Sequence, residues 1–345
     1  MNYTKLPGTT INVSNICLGT MTFGQQNSES EAHSQIDYAV ENGINFIDTA
    51  EMYPVAAREK TYGETEKIIG AWFKKTGKRN EIVLASKVAG PNRGLPYIRE
   101  DLRYNRETIM LSVEKSLARL QTDYIDLYQL HWPARKSNMF GQLGFTIQED
   151  EWQDNFQEIL ETLRELITEG KVRAIGVSNE TPWGIMRYVE ESRKNNLPKI
   201  STVQNPYSLL NRSFEVGLAE TVYRENIGLL AYSPLGFGTL SGKYLSGERL
   251  PESRLHLFPN FTRYNSEQSK HAIKLYADLA RENDLHLVEL ALAFIRQQSF
   301  VTSTIIGATT LEQLKQNINT HSVILSDEIL KSINTIQQIH PNPAP

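Results

Sequence analysis

The segment INFIDTAEMY, residues 44–53, is a short apolar run that stops at an aspartate and is followed by a tyrosine. EIVLASKV at residues 81–88 and DYIDLYQLHW at residues 123–132 have the same form, with a lysine and a histidine near their ends. Short apolar runs bounded by polar residues are typical of buried strands. The polar residues at these three strand ends are Asp48, Tyr53, Lys87 and His131.

Eight such runs alternate with amphipathic helical stretches. In residues 106–120, for example, apolar side chains recur at helical spacing behind Asn105, a suitable N-cap. Alternation of strand and helix implies a parallel sheet with helical crossovers, and eight repeats favour an α/β fold closed into a (β/α)8 TIM barrel over an open sheet. The predicted strands cover residues 16–19, 44–48, 82–87, 124–130, 174–177, 202–204, 228–232 and 303–306.

The chain has 345 residues and no linker rich in Pro, Gly or Ser, so we expect a single domain over residues 1–345. Two helical stretches, residues 285–297 and 327–338, exceed the eightfold count and are expected on the outside of the barrel. Three long loops follow predicted strands and should project from the carboxyl face, where barrel enzymes carry their sites. These loops are residues 54–61, 133–151 and 234–265.

Composition excludes several classes of protein. A net charge of −4 and a pI near 6.0 give no reason to expect nucleic acid or an anionic membrane as a partner. The single cysteine, Cys17, cannot form an internal disulfide and suits a reducing compartment. Without an apolar leader at the N-terminus or a run of about 18 apolar residues, a cytoplasmic location is expected. The oligomeric state cannot be predicted.

The four strand-end residues could form a proton relay beside a carbonyl group. A free tyrosine has a pKa near 10, and a lysine about 4 Å away could stabilise its phenolate by about 4 kcal/mol at an effective dielectric near 20. This stabilisation would lower the pKa of the tyrosine by about three units, and desolvation would raise it again by part of that amount. Lys87 could act in this way on Tyr53, with Asp48 fixing the lysine. Each residue alone could be a cap, a solvated lysine or a packed histidine, but their joint placement favours the relay.

Two other types of site are disfavoured. The glycine-rich residues 235–243 lack both the spacing of a P-loop and the third glycine of the dinucleotide fingerprint, so any nucleotide binding is not of the Rossmann type. The histidines are scattered without a paired metal-binding motif, which argues against a barrel metallohydrolase, and no metal is expected.

At these residues the chain resembles the aldo-keto reductases, and the resemblance covers nearly the whole sequence. The family's pattern of Asp, Thr, Ala, two variable residues and Tyr is present as DTAEMY, its lysine in ASK and its histidine in LHW. The long loops and the segment NPYSLLNRSFEVGLAE are similar to the bacterial Tas-type branch, close to potassium-channel β-subunit-like reductases. Further matching blocks are GTM at 19–21, GVSN at 176–179, QNPY at 204–207, YSPL at 232–235 and GKY at 242–244.

The resemblance implies an NADPH-dependent carbonyl reductase. By analogy Tyr53 is the general acid, Lys87 and Asp48 tune it, and His131 orients the carbonyl. The cofactor would cross the barrel mouth, with Ser178, Asn179 and Gln204 at the carboxamide and Tyr232 stacked on the nicotinamide. The other residues expected around the cofactor are Gly19, Thr20, Met21, Ser233, Pro234, Leu235, Gly236, Phe237, Gly238, Thr239, Leu240, Ser241, Gly242, Lys243, Arg254, Gly307, Thr309, Gln313 and Asn317.

The sequence departs from the family pattern at two places. Tyr53 is followed by Pro54 where the family usually has glycine, and a Tyr-Gly pair occurs downstream, so Tyr62 is a rival for the acid role. Tyr53 is favoured by its spacing from Asp48. Gln316 stands where many members have glutamate, which weakens the expected contact with adenine. A moderate preference for NADPH over NADH is expected, because no arginine lies in residues 307–317 to bind the 2′-phosphate.

An apolar substrate pocket is expected near the relay, suited to aromatic or aliphatic carbonyl compounds. The loop at 133–151, with Phe140 and Phe145, forms either one side of this pocket or packs on the barrel rim. The alternative function is a nicotinamide-binding sensor or partner subunit with weak residual reductase activity. The residues expected to line the pocket are Phe23, Met52, Trp132 and Tyr207.

Overall fold

Eight parallel strands form a closed barrel in the computed structural model, which describes residues 1–146, 152–247, 250, 251, 253–259 and 262–345. The predicted barrel is confirmed, and no predicted strand end differs from the observed one by more than two residues. Two short antiparallel strands, β1 (Tyr3–Lys5) and β2 (Asn12–Ser14), precede the barrel. The barrel strands are β3 (Ile16–Gly19), β4 (Phe46–Asp48), β5 (Val83–Val88), β6 (Ile125–Leu130), β7 (Val172–Ser178), β8 (Thr202–Pro206), β9 (Gly228–Tyr232) and β10 (Val301–Ile306).

Helices connect the strands and cover the barrel. The N-cap predicted for the third helix is confirmed, since the Asn105 side chain accepts a hydrogen bond from the backbone N–H of Thr108 at 2.8 Å. The helices are α1 (Glu29–Glu41), α2 (Glu64–Thr76), α3 (Arg106–Leu120), α4 (Phe156–Thr168), α5 (Pro182–Asn195), α6 (Leu218–Glu225), α7 (Arg254–Leu257), α8 (Glu267–Glu282), α9 (Leu287–Arg296), α10 (Leu311–Asn319) and α11 (Asp327–Ile339).

The strands are paired in chain order, and β10 closes the barrel against β3. Alternate residues point to opposite faces, so Phe46, Leu127 and Leu230 pack inside the barrel while Ile47 and Leu84 pack against the helices. The same pairing brings the polar strand ends together at one level. Asp48 is in register with Gly19 and Ala85, two residues before Lys87.

The expected position of the helix at residues 285–297 is wrong. In α9, residues on every side of the helix are buried, from Leu287 to Ile295 with Glu289 as the exception, and the helix packs directly on β10. It is therefore the crossover helix that leads into β10. The outer pair consists of α8 and α11, which pack against each other. The outside position predicted for residues 327–338 is confirmed, because the only buried residues of α11 are Ile333 and Ile336.

The three long loops project at the carboxyl ends of the strands, as predicted, and each contributes to one cavity there. Parts of two of them, residues 147–151, 248, 249, 252, 260 and 261, lie outside the described residues. Within the described part of the chain, no helix has both the length and the apolar composition needed to cross a membrane.

Candidate active site

A cavity of about 880 Å³ opens at the carboxyl end of the barrel. Its wall contains the last residues of several strands, including Asp48, Ser178 and Tyr232, together with residues of the long loops. Tyr53 and His131 also line it. Lys87 is fully buried beside Tyr53, with its Nζ 5.0 Å from the centroid of the tyrosine ring. The structure therefore brings the four predicted relay residues together.

Lys87 is held in one position by two oxygens. Its Nζ donates to Asp48 Oδ2 at 2.7 Å and to the Thr49 carbonyl at 2.7 Å. Burial lowers the pKa of Lys87, but attraction to Asp48 and Tyr53 outweighs burial, and the net pKa lies above the usual value. The lysine is therefore a cation at neutral pH.

The environment of Tyr53 combines opposing influences. Burial raises the pKa of the Tyr53 hydroxyl and the charge of Lys87 lowers it, while Asp48 raises it again. The net pKa lies above the usual value, so burial outweighs the lowering by Lys87 that the sequence predicts. The phenol is therefore fully protonated at neutral pH in this structure.

His131 is neutral. Burial, followed by the positive charges of Lys87 and Arg93, holds the pKa of this imidazole well below its usual value. The ring lies edge-on to Tyr53, with the two centroids 5.8 Å apart. Its Nδ1 is buried and has no hydrogen-bond partner among the described residues. The imidazole can therefore hydrogen-bond a ligand without carrying a charge.

The structure places Tyr62 outside this arrangement. Its hydroxyl accepts a hydrogen bond from Arg119 Nη1 at 3.3 Å, and its ring packs edge-on against Tyr97. Tyr62 does not line the cavity. The geometry therefore favours Tyr53 over Tyr62 as the residue next to Lys87.

The residues expected at the nicotinamide carboxamide form a connected hydrogen-bond network. Ser178 Oγ donates to the Gln204 carbonyl at 2.7 Å, and Asn179 Nδ2 donates to the His131 carbonyl at 2.9 Å. Tyr232 donates from its hydroxyl to Asn179 Oδ1 at 2.7 Å. The Asn179 amide is thus already paired at both ends, and it joins the relay to the strand that carries Tyr232.

Most residues expected around the cofactor line the cavity, but six do not. The six lie in the 3₁₀ segment Gly236–Ser241, just after it, or in α10. In that segment Thr239 and Leu240 turn into the core, and in α10 the Asn317 amide donates to the Gly307 carbonyl at 3.3 Å. The six residues away from the cavity are Gly236, Thr239, Leu240, Ser241, Gly242 and Asn317. The residues on the cavity wall are Gly19, Thr20, Met21, Ser178, Asn179, Gln204, Tyr232, Ser233, Pro234, Leu235, Phe237, Gly238, Lys243, Arg254, Gly307, Thr309 and Gln313.

Two of the four residues predicted to line the substrate pocket lie away from the cavity. Met52 and Trp132 line the cavity, but Phe23 and Tyr207 do not. Phe23 is fully buried in the core between barrel and helices. Tyr207 is also fully buried, with its hydroxyl bonded to Glu215 and its ring stacked on Phe294. Both aromatic rings therefore stabilise the fold and do not contact the site.

The loop at 133–151 reaches the cavity through Phe140, so the pocket-side alternative is supported for this residue.

The sequence analysis did not predict a further loop that lines the cavity. Residues 89–105 join β5 to α3, and Arg93, Leu95 and Tyr97 from this segment line the cavity. The stretch AGPNRGLPY at its start is rich in Gly and Pro and follows a predicted strand, so the rule applied to the other loops could have found it.

The chain is similar in sequence to known proteins. The model of the "Aldo/keto reductase family" matches residues 15–338. The chain is 51% identical to protein tas of Escherichia coli K12, over the whole of both chains. It is 36% identical to YrpG of Bacillus subtilis, an uncharacterized oxidoreductase, over 97% of this chain and 96% of that one. It is 27% identical to norsolorinic acid reductase A of Aspergillus parasiticus, over 95% of this chain and 79% of that one.

The chain therefore belongs to the aldo/keto reductase family of oxidoreductases.

Proposed function

We propose that this aldo/keto reductase is an NADPH-dependent enzyme that reduces aldehyde or ketone carbonyls to alcohols, with Tyr53 as the general acid. The observation that carries the proposal is the buried ion pair of Lys87 and Asp48 set against the Tyr53 ring at the cavity wall. A protonated phenol beside a fixed cation is suited to give a proton to a carbonyl oxygen. None of these side chains is a good nucleophile for acyl transfer.

Tyr53 gives its proton to the carbonyl oxygen as the oxygen gains negative charge. The raised pKa keeps the phenol protonated until that moment. Lys87 then offsets the charge left on the phenolate, and this attraction is strong because the lysine is fully buried in a low-dielectric site. Asp48 and the Thr49 carbonyl fix the ammonium group, so little reorganisation is needed during proton transfer.

His131 is proposed to orient the substrate. A neutral imidazole donates one hydrogen bond from its ring N–H and, unlike an imidazolium, does not compete with Tyr53 as the proton donor. Its ring contacts Tyr53 edge-on, which places both groups on the same part of the cavity wall. A carbonyl oxygen could therefore accept hydrogen bonds from both residues.

The charge of the cavity wall supports the binding of a nicotinamide dinucleotide. Lys243 and Arg254 line the part of the wall that follows β9, and burial lowers the pKa of Arg254 to about 10. A bound pyrophosphate would offset that desolvation and hold both cations. Gly238 has a φ of 88°, and a Cβ there would lie 3.1 Å from Lys243 Nζ, so the glycine leaves room for a ligand beside the lysine.

The adenosine 2′-phosphate is assigned to the start of α10. Thr309 and Gln313 line the cavity there, and the N-terminus of a helix attracts anions. Bound NADPH would supply the hydride for the carbonyl carbon.

Replacing Tyr53 with phenylalanine tests the assignment. Because only the proton donor is removed, kcat for aldehyde reduction should fall by about 10²- to 10⁴-fold. The dissociation constant for NADPH, measured by fluorescence titration, should stay within about threefold, since the variant keeps the ring. Tyr62→Phe is the matched control and should retain activity. Near-wild-type turnover by Tyr53→Phe, or loss of turnover in Tyr62→Phe alone, would contradict the mechanism.

A sensor with weak residual activity would behave differently in a single-turnover experiment. If NADPH is mixed with excess enzyme and a panel of aldehydes, a sensor oxidises the cofactor very slowly with every one of them. A reductase oxidises it rapidly with at least one.

A further inference from the structure

The cavity carries more positive than negative charge. Among the described residues that line it, Arg93, Lys243, Arg254 and Arg263 have cationic side chains, and Asp48 is the only one with an acidic side chain. Asp48 is already paired with Lys87 at 2.7 Å. The site therefore has the electrostatics of an anion-binding cavity, beyond what a neutral carbonyl substrate requires.

Two of these cations are assigned to the proposed cofactor, and a third has a partner within the chain. Lys243 and Arg254 are assigned above to the cofactor. The Arg263 Nε donates to the main-chain oxygen of Pro345 at 2.8 Å, and its guanidinium lies 5.4 Å from the Tyr264 ring centroid. Arg93 remains. Within the described part of the chain it makes no ion pair and no side-chain hydrogen bond.

Arg93 lies at the substrate end of the cavity. Its guanidinium carbon is 4.5 Å from the centroid of the Phe140 ring, which comes from the loop after β6. After burial and Lys87, its charge also helps to lower the pKa of His131, the residue proposed to orient the carbonyl. The surrounding wall is apolar and includes Trp132 and Leu95.

The segment that carries Arg93 is anchored on both sides by one buried carboxylate. Glu51 accepts from the Ala89 backbone N–H at 2.6 Å and from both terminal nitrogens of Arg99, at 2.7 and 2.8 Å. Asn92 adds a hydrogen bond from its amide to the Ala134 carbonyl at 3.0 Å. These bonds hold the backbone on each side of Arg93, and the exposed side chain itself contacts the Phe140 ring.

We propose that the substrate is a carbonyl compound with a carboxylate, and that Arg93 binds this carboxylate while the carbonyl faces Tyr53 and His131. The apolar wall between these groups suits an aromatic or short aliphatic body. The proposal rests on the reductase function proposed above and specifies its substrate class. Arg93 is then a specificity residue, and it has no part in proton transfer.

Matched pairs of substrates test the proposal. The probes are the three positional isomers of formylbenzoate and their methyl esters, each assayed by NADPH oxidation with the full-length enzyme. For at least one isomer, wild-type kcat/KM should favour the acid over its ester by about 10- to 100-fold. The difference should lie mainly in KM, and it should shrink as NaCl is raised from about 0.05 to 0.5 M, because the contact is between charges.

Arg93→Gln should reduce the acid-to-ester ratio by at least about 10-fold, and Arg93→Lys should restore part of it. The ester in each variant is the internal reference, because general damage to the site lowers both rates together. The control is Arg103→Gln, which removes an exposed arginine paired with Asp101 outside the cavity and should leave the ratio unchanged. A wild-type enzyme that does not prefer any acid, or an equal loss for acid and ester in Arg93→Gln, would overturn the proposal.

Failure of the reductase function gives a different result. In that case neither acids nor esters oxidise NADPH with the wild-type enzyme. Calorimetric titration with the three formylbenzoates then reports on Arg93 alone. Binding that weakens by at least about 10-fold in Arg93→Gln supports the carboxylate contact, and binding that is absent or unchanged rejects it.

Discussion

At the scale of single residues, Gln204 both lines the cavity and bonds to the buried ion pair of Asp48 and Lys87. Its Nε2 donates to Asp48 Oδ1 at 2.8 Å, while Lys87 occupies Oδ2 of the same carboxylate. Gln129 adds a longer bond to Oδ1 at 3.3 Å. Both oxygens of Asp48 are thus fixed, and Gln204 links this ion pair to the strand that the family resemblance assigns to the nicotinamide.

The buried neutral state of His131 predicts a dependence of stability on pH. The unfolded chain takes up a proton at this histidine below about pH 6.5, whereas the folded chain, whose His131 pKa is well below its usual value, does not. The unfolded state then binds more protons, so the free energy of unfolding falls by up to about 1.4 kcal/mol per pH unit below about pH 6.5. This contribution is fully present above that pH.

His131→Asn removes this proton uptake, so its stability should fall less steeply than that of the wild type between about pH 7 and pH 5. Urea midpoints measured across this range check the slope. His271→Asn, at an exposed position on α8, is the control and should follow the wild-type slope. Equal slopes for His131→Asn and the wild type would show that His131 is not held neutral.

At the scale of elements, the first turn of α10 supplies the groups of the proposed 2′-phosphate site. Thr310 caps the helix by accepting from the Gln313 backbone N–H at 3.2 Å, and Gln313 Oε1 accepts from the Thr309 backbone N–H at 3.1 Å. Lys315 lies on the same helix but does not line the cavity, with its Nζ 5.6 Å from the Tyr38 ring centroid. Positive potential at this end therefore comes from the helix N-terminus.

An anion site without arginine should prefer NADPH only moderately. We expect NADPH to have a dissociation constant about 10- to 100-fold lower than that of NADH. This ratio corresponds to a difference in binding free energy of about 1.4–2.8 kcal/mol. Gln313→Glu adds a like charge beside the phosphate and should remove most of this preference, whereas Lys315→Gln should change it little. Fluorescence titration with both cofactors measures the ratio. Equal affinities in the wild type, or a preference for NADH, would show that α10 does not bind the 2′-phosphate.

At the scale of the whole molecule, stability depends on which helices touch the barrel. α9 is covered on all sides because it lies between β10 and the outer layer, in which α8 packs on α11. An all-round apolar sequence such as LVELALAFI is what this position requires. The more amphipathic α11 has one side packed and the other in water.

Two leucine-to-alanine substitutions compare these layers. Leu290 on α9 is fully buried, so Leu290→Ala should lower the free energy of unfolding by about 2–5 kcal/mol. Leu330 on α11 is only partly buried, and Leu330→Ala should cost clearly less, about 1 kcal/mol. Chemical denaturation of both variants gives the comparison. A larger loss for Leu330→Ala would contradict the assignment of α9 as the inner helix.

The sequence by itself determined the barrel and the grouping of the four candidate residues at one end of it. Strand positions follow from local apolar runs, and in a parallel barrel every strand ends at the same face, so Asp48, Lys87 and His131 had to meet once the strands were placed. Tyr53 follows Asp48 by five residues, so it was expected in the loop at the same face of the barrel. These features depend on short-range patterns, and the family motifs repeat them.

Only the tertiary structure decided the side-chain contacts made across the barrel. The bond from Gln204 to Asp48 spans 156 positions, and no local pattern encodes it. Tyr207 and Met52 are both apolar residues next to strand ends, yet one faces the helical layer and the other the cavity. α9 was misplaced for the same reason, since burial depends on what packs against a surface from elsewhere in the chain. Apolar character predicts that a residue is buried, whereas the partner that buries it is fixed only when distant segments pack together.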